Sequence, residues 1–276
     1  MQSVDLQADF IPIGENEPDT HGLGDGILLT AVIREVNLKY PDKKIILKTL
    51  SPKEPFLNNP RIHEIYDGYW ENVELWPNGR WRGFHQIKNL CETYDVHTDN
   101  LNPEIWLSDH ELSVARKTFD LLSPEKPAIM FCRNSTVPER DWRDENWHRI
   151  ISMLNQRYNV FQIDETIRYD FKTGMPTRVM LTCPAARQEL RGFPVRKIFA
   201  LMACSKKYLG TNTGWLPAAT AFSNDNYCYY GTDDGRVMDN PKVMNFHHWD
   251  FPANKNIYAD ESIDSVIERI RRDWMS

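Results

Sequence analysis

The sequence predicts an α/β protein made of two doubly wound domains. Short apolar runs typical of buried strands alternate with amphipathic helical segments along the whole chain. The 276 residues are enough for two domains of about 130 residues each. A proline-bracketed stretch at 123–127 interrupts the pattern near the middle. We therefore expect domains at 1–123 and 124–276, each with a largely parallel sheet.

In the first half, a polar glycine loop at 22–26 separates a predicted strand from a predicted helix that ends before Pro41. Ser108 and Glu111 have the spacing of a capping box and begin a helix over 108–122. The segment 69–106 is irregular and carries four tryptophans and one helix near 83–94. Strands are expected at 10–13, 44–50 and 62–66.

The second half repeats this alternation. Strands are expected at 128–132, 160–163, 179–182, 207–209 and 227–230. Helices are expected at 145–158, 195–204, 215–222 and 262–274.

Composition narrows the function classes. A net charge of −6 and a pI near 5.8 argue against a broad polyanion-binding surface but allow a local basic pocket. Five widely spaced cysteines without a CxxC pair suggest neither a disulfide framework nor a zinc site, and they fit a reducing cytoplasm. We find no signal peptide and no apolar run long enough to cross a bilayer.

Two loops of the second half carry anion-binding residue types. Ser135, Thr136 and Arg140 follow one predicted strand and offer hydroxyls and a guanidinium group for a diphosphate. The alternative is a solvated loop whose arginines pair with its own acids Glu139, Asp141 and Asp144. Residues 211–214, including Asn212, Thr213 and Gly214, follow a second strand and can face the same anion. Neither loop has the spacing of a Walker or dinucleotide-binding motif.

In the first half the candidate is Asp25, which lies between Gly24 and Gly26. Two interpretations stay open: the carboxylate caps the helix, or the glycines admit a ligand that Asp25 contacts. As a base, Asp25 would be kept ionised by the helix N-terminus, while desolvation would act in the opposite direction.

Other candidates have weaker support. His247 and His248 are adjacent and cannot both face one way on a strand, so no metal site is expected. Cys132 and Cys204 lie in apolar contexts typical of a core. No Gly-x-Ser-x-Gly elbow is present.

Taken together in chain order, these motifs resemble glycosyltransferase family 9, the ADP-heptose:lipopolysaccharide heptosyltransferases and their relatives. The stretch 24–34 with Tyr40 and Pro41 is similar to that family's Gly-Asp loop, helix and "YP" ending. Residues 59–65 are similar to the start of the next strand in that family. Residues 105–108 are similar to the segment that ends the family's N-terminal domain. In the second half the likeness covers Arg140, Asp141, Trp142, Asn146, Trp147 and the turn 211–214.

The resemblance implies a GT-B fold, in which two Rossmann-like domains face each other across a cleft, acceptor side first and nucleotide-sugar side second. It further implies inverting sugar transfer from a nucleotide-diphosphate donor without a metal ion or other cofactor. Asp25 would be the base that deprotonates the acceptor hydroxyl. The donor would be held by Gly24, Gly26, Ser135, Thr136, Arg140, Asn212, Thr213 and Gly214.

The chain also departs from that family. Asn212 replaces its usual Asp, Pro217 replaces its usual His, and Asp164-Glu165 replaces glycines after a strand. The resemblance therefore leaves the donor sugar open. A saccharide or other hydroxyl acceptor would meet the aromatic segment 69–106, whose tryptophans are equally suited to a core.

Two alternative functions remain. One is a glycosyltransferase that modifies nucleic acid bases and uses Arg80, Arg82 and Lys88 as a basic rim. The net charge disfavours it. The other is a sugar-nucleotide-binding protein without catalysis.

Overall fold

The computed structural model describes residues 5, 7–14, 22–50, 52–70, 85–135, 141–169, 173–231 and 251–276. Helices and mostly parallel strands follow one another along these residues, as the sequence predicts. The chain divides into two compact units: Met1–Leu107 with Asn245–Pro252, and Ser108–Met244 with Ala253–Ser276.

The first unit contains a parallel sheet of order β1-β2-β3, formed by Phe10–Gly14, Lys44–Thr49 and Ile62–Asp67. Helix α1 (Leu23–Lys39) joins β1 to β2, and nearly all of its residues from Ile27 to Val36 are buried. Helix α2 (Gln86–Glu92) packs against α1. The predicted strands and the helix near 83–94 are confirmed, with α2 shorter than expected.

The N-terminus of α1 differs from the prediction. The sequence suggested a loop over 22–26, but the helix begins at Leu23, so Gly24 and Gly26 lie in its first turn. The reason is local: Asp25 accepts a hydrogen bond from the Gly22 amide at 2.9 Å and closes the turn.

Side chains of α1 also fix the extended segment that follows α2. The Arg34 guanidinium donates to the carbonyls of Asn102 at 2.5 Å and Asn100 at 2.8 Å. The Thr30 hydroxyl accepts from the Glu104 amide at 2.9 Å. Because Arg34 is only 5% exposed, this segment is held by buried polar contacts that replace the regular pairing it lacks.

The second unit contains five parallel strands in one sheet: β4 Ala128–Cys132, β5 Asn159–Gln162, β8 Lys207–Thr211, β9 Asp225–Tyr230 and β10 Asn254–Tyr258. Their order in the sheet is β10-β9-β8-β4-β5.

The helices of this unit are α3 Asp109–Leu122, α4 Asp144–Leu154, α5 Val195–Ser205, α6 Trp215–Ala221, α7 Ile263–Ile270 and the π-helical turn Arg271–Met275. Helices α4 and α7 and the π-helical turn cover one face of the sheet, with Trp147 and Trp274 in the buried cluster.

Three strands of this unit were predicted wrongly or missed. The structure has an antiparallel hairpin of β6 (Ile167–Tyr169) and β7 (Pro176–Val179), which shares only Val179 with the expected strand at 179–182. Its apolar residues Val179 and Leu181 are 67% and 50% exposed, so their pattern does not mark a buried strand. Strand β10 was missed because Ile257 is the one buried apolar residue in its sequence.

The units divide at Leu107/Ser108, whereas the sequence suggested a boundary at 123/124. Helix α3 belongs to the second unit because it packs against α5. Arg196 on α5 makes a two-point ion pair with Glu111, with both N–O distances 2.7 Å. Ser108 and Glu111 form the predicted capping box.

Candidate functional site

The strand order of the second unit creates a switch point between β4 and β8. From β4 the chain passes through α4 to β5 on one side, then returns through α5 to β8 on the other side. The loops that follow β4 and β8 therefore leave their shared carboxyl edge in opposite directions. Ligands of open α/β sheets bind in the crevice at such a point.

The predicted donor residues lie on these two loops. Ser135 is in the turn after β4, and Asn212, Thr213 and Gly214 are in the turn after β8. The Cys132 thiol of β4 lies 3.6 Å from the Thr213 hydroxyl, so the two strand ends are in contact. Thr136 and Arg140, the other predicted residues of the first loop, lie outside the described residues.

Close approach of β4 and β8 depends on Gly210. A Cβ atom there would lie 2.5 Å from the Cys132 carbonyl oxygen and 2.7 Å from the Tyr208 hydroxyl. Both distances are shorter than van der Waals contact. A side chain would therefore push the strands apart where their loops diverge.

The turn after β8 is tightly built. The Asn212 amide donates to the Tyr229 carbonyl at 3.0 Å and extends the ladder with β9. The Thr213 hydroxyl accepts from the Trp215 amide at 3.3 Å at the start of α6. Gly214 has helical dihedral angles, so it needs no left-handed backbone.

Thr211 is the first residue of the predicted turn 211–214. The residue is fully buried, and its hydroxyl has no hydrogen-bond partner among the residues that the structure describes. Buried hydroxyls are normally bonded, so this atom marks a polar position at the switch point.

The turn after β4 is held by the hairpin. The Ser135 amide donates to Asp141 at 2.7 Å, and Arg178 of β7 donates to the Ser135 carbonyl at 2.6 Å. Arg178 also forms an ion pair with Asp141. Ser135 is thus fixed through both its backbone amide and its backbone carbonyl. The positions of Asp141 and Arg178 in the sequence do not predict these contacts. Asp144 forms an ion pair with Arg133. For this one acid, the structure agrees with the alternative in which the arginines of the loop pair with its own acids.

Cys132 does not have the properties of a nucleophile. It is fully buried, and burial raises the pKa of its thiol. Burial also raises the pKa of Cys204, and none of the five cysteines forms a disulfide. The expectation that Cys132 belongs to the core is confirmed.

In the first unit, Asp25 has the geometry of a helix cap. It is half-buried, and one carboxylate oxygen, Oδ2, accepts from the Gly22 amide. Gly26 faces the Phe56 ring, 3.4 Å from where its Cβ would stand. Its amide bonds to the Gly22 carbonyl at 3.3 Å. The space beside Gly26 is therefore filled by the protein, while Gly24 is buried. Ligand contact by these two glycines and catalysis by Asp25 stay predictions.

The aromatic segment gives a mixed result. The Trp70 indole donates to the Ile13 carbonyl at 2.9 Å, and Lys48 lies 4.4 Å from its ring centre, so this tryptophan supports the first sheet. Trp106 is 39% exposed beside Arg61. Trp76 and Trp81 lie outside the described residues.

The remaining candidates add little. Lys88 of the suggested basic rim is ion-paired with Asp99 at 2.6 Å, and Arg80 and Arg82 lie outside the described residues. So do His247 and His248. Among the residues that are described, no group of three or more His, Cys, Asp or Glu side chains is placed to hold a metal ion. Nor is any described helix both long and apolar enough to span a membrane.

The chain is an α/β protein of two units, and the same fold occurs in solved glycosyltransferases. ADP-heptose LPS heptosyltransferase II of E. coli matches with a TM-score of 0.65 and 14% identity, over 95% of this chain and 97% of that chain. A family 9 glycosyl transferase of Veillonella parvula DSM 2008 matches at 0.65 and 12%, over 96% and 89%. E. coli heptosyltransferase WaaC, solved with ADP, matches at 0.61 and 9%, over 95% and 99%.

These matches confirm the predicted GT-B fold class and support the suspected resemblance to family 9. At such low identity they establish the fold alone. No model of a known protein family matches the sequence, and no curated protein matches it.

Proposed function

We propose that the protein is a glycosyltransferase that moves a sugar from a nucleotide-diphosphate donor to an acceptor hydroxyl. The reaction inverts the anomeric centre, needs no metal ion and uses Asp25 as its general base. The observation that carries the proposal is the switch point of the second unit, where Ser135 follows β4, Asn212 to Gly214 follow β8, and the two strand ends are in contact.

The chemistry of these two turns suits a diphosphate. Their hydroxyl and side-chain amide groups can bind phosphate oxygens, and Arg140 would add a positive charge in the first turn. One solved relative in fold carries ADP. Asn212 and Pro217 replace residues that the resemblance would lead one to expect, so the proposal does not extend to the identity of the sugar.

In the reaction, the acceptor oxygen attacks the anomeric carbon and the bond from that carbon to the diphosphate oxygen breaks. The acceptor proton passes to the Asp25 carboxylate, and the nucleoside diphosphate leaves with one additional negative charge. Hydrogen-bonding groups of the protein that bind this leaving group more tightly than the intact nucleotide sugar lower the activation barrier of the transfer. One displacement gives inversion.

Asp25 is suited to the role of base by its position in the first turn of α1. The helix N-terminus favours the ionised form of the carboxylate. The Gly22 amide donates to Oδ2, so the helix cap fixes the orientation of the carboxylate.

Asp25→Ala tests this assignment, with turnover and nucleotide binding measured separately. We expect turnover to fall by about 10²–10⁴-fold, the usual contribution of general base catalysis, with nucleotide affinity within about twofold of wild type. The matched control is Asp264→Ala, which removes a first-turn acid from α7. It should leave turnover unchanged.

Three outcomes separate the alternatives. If Asp25→Ala retains turnover, Asp25 is not the base. If the wild-type protein binds nucleotide sugars but transfers none to any acceptor tried, it is a binding protein without catalysis. Loss of turnover in EDTA that is restored by a divalent ion would contradict the metal-independent mechanism.

A further inference from the structure

One buried carboxylate lies beside the candidate site and has no part in the chemistry above. Asp164 follows β5 and is 3% exposed. It accepts hydrogen bonds from the Arg133 amide at 2.9 Å, from Gln162 Nε2 at 2.8 Å and from Asn134 Nδ2. The Arg191 guanidinium lies 4.0 Å away. Burial raises the pKa of Asp164, whereas these donors act in the opposite direction.

The partners of Asp164 on one side belong to the turn that carries Ser135. Arg133 and Asn134 immediately precede it, and both are 3% exposed. Their bonds to Asp164 fix the course of the chain as it leaves β4. Ser135 is therefore held by Asp164 on its N-terminal side and by Asp141 and Arg178 through its own backbone.

The same partners also hold the segment that returns from the hairpin. Asn134 binds both backbone groups of Leu181, donating to its carbonyl at 2.8 Å and accepting from its amide at 3.3 Å. Gln162 donates to the Leu181 carbonyl at 2.9 Å. Arg133 donates to the Thr182 carbonyl at 2.6 Å, and Arg191 to the Met180 carbonyl at 3.1 Å.

These four residues thus each bind the segment through a side chain, and each also lies against Asp164. We propose that Asp164 is a positioning residue: its carboxylate joins the turn after β4 to the base of the β6–β7 hairpin and so orders Ser135 for binding the donor diphosphate. This proposal rests on the proposed function for the identity of the ligand. The ordering itself does not depend on any ligand.

A carboxylate is required at this position because three N–H donors converge on it. An ionised Asp only accepts hydrogen bonds, whereas an Asn of the same shape must turn an NH₂ group toward one of the three donors. Asp164→Asn therefore removes at least one bond and places two donors face to face, although it changes the volume very little. In a buried polar network, one mismatched group can cost more free energy than a single hydrogen bond contributes.

The test compares Asp164→Asn with Asp225→Asn. Asp225 is part-buried at the opposite, amino-terminal edge of the same sheet and pairs with Lys207 and Lys255. Its loss should lower the melting temperature without touching the proposed site. Hydrogen exchange of peptides covering 131–135 and 180–183 is measured together with the dissociation constant for ADP, with UDP, GDP and CDP in parallel.

We expect Asp164→Asn to raise exchange at least fivefold in both peptides and to weaken nucleotide binding at least tenfold, at a temperature where both variants are folded. Asp225→Asn should change neither quantity by more than twofold. Unchanged exchange in folded Asp164→Asn overturns the positioning role. Raised exchange with an unchanged dissociation constant overturns its link to the donor.

Two further outcomes are informative. If the wild-type protein binds none of the four nucleotides but exchange still rises in Asp164→Asn, the proposed function fails and the ordering role stands. If Asp164→Asn does not fold, Asn134→Ala removes one donor to Asp164 and both contacts with Leu181, and the same two measurements apply. Unchanged exchange and affinity in that variant would contradict the proposal.

Discussion

Replacing Gly210 by alanine should separate the two strands whose ends carry the donor site. The new Cβ would lie 2.5 Å from the Cys132 carbonyl oxygen and 2.7 Å from the Tyr208 hydroxyl. A carbon–oxygen contact normally spans about 3.3 Å, so β4 and β8 must move apart by roughly 0.8 Å. Because the nearer atom belongs to the backbone, no rotamer change relieves the clash.

Overpacking of this kind costs about 1–3 kcal/mol, partly offset because alanine restricts the unfolded chain more than glycine does. We take about 2 kcal/mol as the net loss. In a unit of this size that lowers the melting temperature by roughly 4–8 °C. Nucleotide affinity should fall as well, since the Cys132–Thr213 contact joins the two turns.

The assay is thermal unfolding with and without ADP, UDP, GDP or CDP. The control is Gly174→Ala, where no atom of the described residues lies within 4 Å of the added Cβ and the φ of +66° is unfavourable. That variant should lose about 1 kcal/mol and keep its nucleotide affinity. If Gly210→Ala is no less stable than Gly174→Ala, the steric account of the switch point is refuted.

Two further predictions concern stability. Hydrogen bonds from Arg196 lower the pKa of Glu111 to about 2, so the stabilisation is complete above the ordinary carboxyl pKa and is lost as the pH falls from about 4.5 to 2. Glu111→Gln should cost about 1–3 kcal/mol in urea unfolding at pH 7, and its difference from wild type should shrink as the pH falls below about 4.5 and be lost below about 2; a constant difference would contradict the assignment. Arg34→Met leaves the carbonyls of Asn100 and Asn102 without their donor and should destabilise the first unit by about 2–3 kcal/mol, measured by the same method, whereas an unchanged midpoint would show that the contact contributes nothing.

Much of this fold could be predicted because local signals and burial agree. Residues 128–132 are uniformly apolar and form the fully buried strand β4, and the Ser108–Glu111 spacing marks the start of α3. Strand β10 could not be predicted, because its Asn-Lys-Asn sequence pairs with β9 through the backbone and buries only Ile257. Backbone pairing leaves no trace in side-chain periodicity.

The candidate site was predictable in the same uneven way. The turns that carry Ser135 and Asn212 to Gly214 could be located, because each follows a recognisable strand. The two turns lie close together because of the order of the strands in the sheet, and that order cannot be derived from the sequence pattern. Contacts such as Arg178 with Asp141, or Asn134 with Leu181, join residues far apart in the chain through polar groups of common types. Only the folded chain identifies them.

Both proposals require that a nucleoside diphosphate binds at the switch point between β4 and β8. The most direct measurement is hydrogen exchange of the wild-type protein with and without saturating ADP, UDP, GDP or CDP, together with the shift in melting temperature. At least one nucleotide should raise the melting temperature and protect peptides covering both 131–135 and 209–215. Absence of any shift, or a shift with protection confined to other peptides, would contradict the account.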